Sequence, residues 1–212
     1  MMKKRLFIIG AGSFGREIES WLSCEPANIR DWELIGYIDS YQRPGNLKFP
    51  SEYKILGDEL TYRFGDNDYA LIAVSDSASR ERIYNAIRGR VKIFNFISSG
   101  SIVGKYNEIA EGVIICPNVV ITTNVKVGLC VIVNIGSQIG HDVQVGDFSS
   151  LMANVDIAGN CDIGKRCLIG SNAVIIPGRK IADDTTVGAG AVVIRNVGKT
   201  NCTLFGNPAK IL

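Results

Sequence analysis

The chain has 212 residues, enough for one large domain or two modest ones with proper cores. Its 23 Lys and Arg nearly balance 21 Asp and Glu, and the net charge of +2 excludes the basic footprint of a nucleic-acid binder. No apolar run approaches the ~18 residues of a membrane span, so no membrane association is expected.

The opening MMKKRLFIIGAG sets basic residues before an apolar run, as a signal peptide does. That run is short and ends in a glycine turn, which does not make an h-region, and a cytoplasmic protein is expected. KRLFIIGAGSFGREIESWL reads as an apolar strand, a glycine turn and an amphipathic helix. WELIGYID and YALIAVSD are further apolar strands, each ending in an acid. DSYQRPGNLKFPSEYKILGD has Pro, Gly and no clear period and reads as a loop. SASRERIYNAIRGR reads as a helix, and VKIFNFI as a strand leading into the second half. Alternating strands and helices over residues 1–95 imply a small parallel sheet of Rossmann type.

Gly10-Ala11-Gly12-Ser13-Phe14-Gly15 matches G-x-G-x-x-G between a strand and a helix. Such glycines let backbone N–H groups and a helix N-terminus approach a phosphate. Asp39, ending the next strand, stands where an acid bonds a ribose hydroxyl. The same pattern also suits a tight turn that binds nothing. NAD needs more sheet than this half offers, and a mononucleotide carrier fits better.

From residue 97 a different period takes over. Every sixth residue from Ile97 to Val193 is Ile, Val or Leu. Two residues before many of these lies another small or β-branched residue, among them Val113, Val131, Val155, Cys161, Cys167 and Ala173. The period of two means a short strand with both residues pointing inward, and the period of six means a solenoid over residues 96–212. Glycine often follows the aliphatic position (Gly104, Gly128, Gly140, Gly146), as expected of corners with unusual backbone angles. The six cysteines include no C-x-x-C pair, and with one histidine no zinc site is expected; Cys161 and Cys167 read as small core residues.

Four stretches together, IIGAGSFGREI, VNIGSQIGHDVQVGDFSSL, AGNCDIGKRCLIGSNAVIIPG and LFGNPAKIL, resemble the bacterial sugar O- and N-acyltransferases. The resemblance implies an α/β Rossmann-like domain that binds a nucleotide-linked sugar. It also implies an all-β, left-handed parallel β-helix with triangular coils of eighteen residues. It further implies a homotrimer with acetyl-CoA, used as cosubstrate, in the groove between subunits, and no metal. His141 takes the place of the family's catalytic histidine and Asp142 that of its acidic neighbour. Ser150, Gly159, Ser171, Ala189 and Gly190 fall near the pantetheine arm, and Asn134 near the sugar. Gly10, Gly12, Ser13, Phe14, Gly15, Asp39, Ser40 and Ser75 fall near the nucleotide. At Ser150 relatives acting on amino sugars often carry a second histidine, so the chain departs from the pattern there.

A lone histidine is most often structural, but His141 follows inward Ile139 by two residues, at a corner, and should point outward. One eighteen-residue coil on, Gly159 should stack beside it at the ~4.8 Å strand spacing. A base beside a bare glycine suits direct acyl transfer to an amine, with backbone N–H groups facing the oxyanion. Four other readings stand beside this one: O-acetylation of a sugar such as sialic acid, a non-enzymatic scaffold, a γ-type carbonic anhydrase and an NAD-dependent oxidoreductase. One histidine per chain opposes the zinc enzyme. Outward residues one coil apart predict a polar face (Lys126, Gln144, Asp162, Lys180) and a trimer interface using Ile132, Leu168 and Val174.

Overall fold

The computed structural model describes residues 3–41, 45–47 and 49–212. The chain divides into two compact units, Met1–Asn95 and Phe96–Leu212.

In the first unit the central strand β1 (Lys4–Ile9) pairs in parallel with β2 (Trp32–Ile38) and with β5 (Asp68–Ile72). Leu6 to Ile9 are at most 1% exposed, as an inner parallel strand covered on both faces requires. Helix α1 (Ser13–Cys24) follows β1 and buries Gly15, Ile18 and Leu22, the i, i+3, i+7 stripe of an amphipathic helix. Helix α2 (Ser77–Ile87) starts at Asp76, whose carboxylate accepts the Ser79 N–H at 2.8 Å. The Ser79 hydroxyl, and after it that N–H, holds the Asp76 carboxyl below its usual range. The sheet is completed by β3 (Gly45–Asn46), β4 (Lys54–Gly57) and β6 (Lys92–Ile93), in the order β3-β4-β2-β1-β5-β6.

Strand β4 corrects the loop expected over residues 39–58. Ile55 pairs with Tyr37 and is 3% exposed between solvent-facing Lys54 and Leu56, so KILG is a true alternating strand. Residues 42–44 and 48 of that stretch lie outside the described residues. VKIFNFI also divides, with Lys92–Ile93 in this sheet and Phe96–Ile97 opening the solenoid.

The second unit is a parallel β-helix. Its two-residue strands pair with those eighteen residues away: Ile132 with Ser150, Ser150 with Leu168, Gln138 with Asp156, Gln144 with Asp162. Three sheets result, here termed first face (through Ser150), second face (through Gln138) and third face (through Gln144). The aliphatic residues at every sixth position from Ile115 to Val193 are each at most 3% exposed. Ile97, at 42%, and partly exposed Val103 and Ile109 belong to the first coil, which has a neighbour on one side only. Cys161 and Cys167 are buried and free, and burial pushes the Cys167 thiol up to about 11.

The glycines after the aliphatic positions serve a purpose other than the one expected. Positive φ falls two residues further on, at Asn118, Asn124, Asp142, Asn154, Asn160 and Asn172 among others. Asn and Asp tolerate that left-handed conformation better than other side chains. Gly140 and Gly146 are needed for close approach instead: a Cβ would lie 2.6 Å from Gly159 N and from Gly164 C respectively, in the next coil.

Candidate active site

His141 sits at the corner between the second and third faces, with 58% of its side chain exposed. Inward Ile139 and Val143 on either side leave this residue pointing away from the core. Its Nδ1 lies 2.7 Å from Asp142 Oδ2. A carboxylate only accepts, so Nδ1 is the donor in this contact, and in a neutral ring Nε2 is then the nitrogen that accepts. The imidazole contact, with Asn124 adding to it, holds the Asp142 carboxyl below its usual range.

Gly159 is the next residue up the column. The Asn160 N–H donates to His141 O at 2.8 Å, which seats one corner on the other. A Cβ built on Gly159 would stand 2.6 Å from His141 Nε2. The ring therefore lies against bare backbone, and any side chain at 159 would occupy the approach to the basic nitrogen. A thioester carbonyl needs that open face, so the corner fits an acyl-CoA.

Other expected residues lie elsewhere in the same unit. Asn134, Ser171, Ala189 and Gly190 line the corner between the first and second faces; Gly190 N–H donates to Ser171 O at 2.8 Å. Asn134 shares a coil with His141 but turns its Oδ1 onto the Ile135 N–H at 2.7 Å. Ser150 lies in a strand of the first face and is 1% exposed. Ile132 beside it, and Ile114 one coil further along the column, are at most 2% exposed within the single chain. Ile132 is thus not an open surface for a partner, contrary to the interface expected, whereas Leu168 keeps 39% exposure.

In the first unit the glycine loop joins β1 to α1. A Cβ on Gly15 would strike Gly10 O at 2.1 Å, and Gly10 has φ 103° with Val74 packed against it, so packing explains both. Gly12 is different. It caps α1 with ordinary extended angles and no side-chain cap, and a Cβ there would meet nothing within 4 Å. Nothing packed around Gly12 therefore excludes a side chain there. Ser13 is exposed at the first turn, and Phe14 packs edge-on against Trp21.

Asp39 braces this loop: Oδ2 accepts the Ala11 N–H and Oδ1 the Tyr41 N–H, each at 2.7 Å. Ser75 is exposed, and its carbonyl accepts from buried Arg80 at 2.8 Å. A recess beside Gly10 is lined by apolar Ile9, Val74 and Ile83 and by polar Asp39, Ser40 and Glu59. Sequence reasoning missed Glu59, which follows β4 one residue past the stretch read as loop. Among the described residues no group of three or more His, Cys, Asp or Glu stands together as a metal site. No helix among them is long and apolar enough to cross a membrane.

Residues 5–87 match the PglD N-terminal domain, and residues 144–176 and 160–195 match the bacterial transferase hexapeptide repeat. Fold and corner thus define a hexapeptide-repeat transferase. The chain is 32% identical over 215 residues to the GDP-perosamine N-acetyltransferase of Escherichia coli O157:H7, with 96% of this chain and 94% of that one covered. It belongs to the bacterial sugar acyltransferase family. PerB from Caulobacter crescentus, solved with CoA and GDP-perosamine, superposes with a TM-score of 0.84 at 26% identity, over 98% of this chain and 96% of that one. The acetyltransferase domain of PglB from Neisseria gonorrhoeae FA1090, solved with acetyl coenzyme A, shares the fold with a TM-score of 0.88 at 24% identity, over 99% and 100%.

Proposed function

We propose that this protein transfers the acetyl group of acetyl-CoA to the amine of a nucleotide-linked sugar of the 4-amino-4,6-dideoxy kind. The observation that carries the reading is the imidazole of His141 held by Asp142 against the bare backbone of Gly159. The sugar amine attacks the thioester carbonyl directly, and His141 Nε2 takes the proton that the amine loses. The Asp142 carboxylate balances the imidazolium that forms. The Gly159 N–H stands outside the ladder, whose bonds run from Ala158 to Ile175 O and from Asn160 to His141 O, and it faces the oxyanion. The tetrahedral intermediate then collapses, the carbon–sulfur bond breaks, and the thiolate of CoA takes the proton back from the imidazolium. No acyl-enzyme forms.

The nucleotide belongs on the first unit, with phosphate at Gly12 and the N-terminus of α1. A homotrimer completes the acetyl-CoA site. His141 and Gly159 occupy one corner of the solenoid, whereas Ser171, Ala189 and Gly190 occupy another, six residues or about 20 Å away along the second face. In a cyclic trimer the first corner of one subunit meets the second corner of the next, and the coenzyme arm lies between them. The cytoplasm is the proposed compartment, and the cysteines, none of them in a disulfide, agree with it.

The test is His141→Ala and His141→Asn, assayed with acetyl-CoA and GDP-perosamine. Turnover should fall at least ~100-fold, the scale of a lost general base, with CoA affinity kept. Near-normal turnover would sink the assignment.

A further inference from the structure

We propose that Glu59 reads the base of the bound nucleotide and selects guanine. The inference rests on the first unit being the nucleotide end of the site. Glu59 is 6% exposed and lines the recess beside Gly10. Its Oε1 accepts the Ser40 hydroxyl at 2.8 Å. Its Oε2 has no protein donor among the described residues, yet it is not a sealed orphan, since Asp68 Oδ1 is the buried side-chain atom left unpaired there. The remaining capacity of the carboxylate therefore faces the recess.

The main chain carrying Glu59 is held from two sides. Arg90 donates Nη1 to Glu59 O at 2.8 Å and Nη2 to Tyr62 O at 3.0 Å. Asp58 Oδ1 accepts the N–H groups of Leu60 and Thr61 at 2.9 and 3.0 Å. The carboxylate is thus presented from a fixed turn rather than a loose arm. Ile9, Val74 and Ile83 give the recess apolar walls, which suit the faces of a flat ring.

A carboxylate accepts only, and each oxygen has room for two bonds, so Oε1 can keep Ser40 and take one more. Guanine alone among the common bases offers two neighbouring donors on one edge, N1–H and the 2-amino group. Uracil and thymine offer one N–H flanked by two carbonyls, which a carboxylate repels. Adenine and cytosine set their amine beside a ring acceptor, with the same penalty. A buried carboxylate in an apolar slot both holds guanine and rejects the others.

Calorimetric titration of the native protein with GDP, inosine diphosphate, 2′-deoxyguanosine diphosphate and UDP tests this. GDP should bind at least about tenfold more tightly than UDP, and inosine diphosphate, lacking the 2-amino group, about tenfold more weakly than GDP. The 2′-deoxy compound should keep the preference over UDP. Glu59→Gln should bring GDP down to the level of inosine diphosphate and leave UDP within about twofold. Equal binding of GDP and inosine diphosphate by the native protein overturns the proposal, and this arm needs no folded variant. A Glu59→Gln protein that loses GDP and UDP alike overturns it too, because the role is then structural. If none of the four binds, the nucleotide reading itself fails; if all bind equally, only the role of Glu59 does.

Discussion

At Gly159 and Gly140 two glycines nineteen residues apart exclude a side chain for different reasons, and substitution separates them. A Cβ at 159 would press on the tip of the His141 imidazole, which is largely exposed and able to swing away. Gly159→Ala should therefore fold with a loss below ~1 kcal/mol, while kcat drops at least about tenfold because the base is displaced. A Cβ at 140 would meet main-chain atoms, Gly159 N at 2.6 Å and Ala158 C at 2.8 Å, which cannot yield alone. Gly140→Ala should cost about 1–3 kcal/mol and lower the melting temperature by several degrees. Melting curves beside steady-state rates decide the matter, and equal losses of stability would refute the distinction. Asp142 carries a pH argument. The His141 contact holds its carboxyl below the usual range, so the contact is complete above the ordinary value near ~3.9 and is lost only as pH falls through the lower folded one. Across neutral pH the carboxylate therefore stays ionised, and at an exposed corner the contact adds little to stability. Asp142→Asn should then lower kcat roughly tenfold with an unchanged neutral melting temperature. A parallel fall in stability would make Asp142 merely structural.

Among the elements, the strand–turn–helix from Lys4 to Cys24 offers the cleanest separation of fold from binding. Because a Cβ on Gly12 meets nothing, Gly12→Ala should fold and lower the melting temperature by no more than several degrees, the scale of an N-cap weakened by about 1 kcal/mol. It should nevertheless raise KM for the nucleotide sugar several-fold and leave KM for acetyl-CoA alone. A shift confined to acetyl-CoA would reverse the roles proposed for the two units. How much of such elements is legible beforehand depends on length and repetition. The solenoid strands have two residues each, yet their inward positions recur so regularly that one period exposes them all. Strand β4 stands once, has one fully inward residue in Ile55, and lies among Pro and Gly residues that mask its alternation. The left-handed corners are legible as Asn and Asp, but glycine stands beside them and serves both positive φ and close approach, two demands that sequence alone does not separate. Glu59 escaped notice because its recess is assembled from four separate segments, and no local pattern joins them.

For the whole molecule, the outward positions of the solenoid were legible as faces but not as surfaces. Spacing shows that Ile114, Ile132, Ser150 and Leu168 share a column; it does not show that the first three are buried within one chain and the last is open. The third face keeps its polar character, with Lys126 paired to Glu108 at 3.1 Å, and the corner after it pairs Lys165 with Asp147 at 2.8 Å. Open apolar residues lie instead at Leu168 (39% exposed), Ile135 (41%) and Ile194 (38%), with Val174 partly exposed on the second face. A contact between copies would cover these, and Leu168→Glu should yield monomers by light scattering that keep the strand signature but lose turnover. The sharper test asks where the site lies rather than how many subunits assemble. His141→Ala removes the base at one corner, and Ala189→Trp fills the exposed opposite corner, so each variant alone should be inactive. If every site joins the first corner of one subunit to the second corner of its neighbour, random co-assembly of the two variants leaves about a quarter of the sites with both corners intact. Co-expressed, differently tagged chains purified through both tags should therefore recover a substantial fraction of native turnover. A site contained in one chain would recover none, and that outcome would end the shared-groove reading.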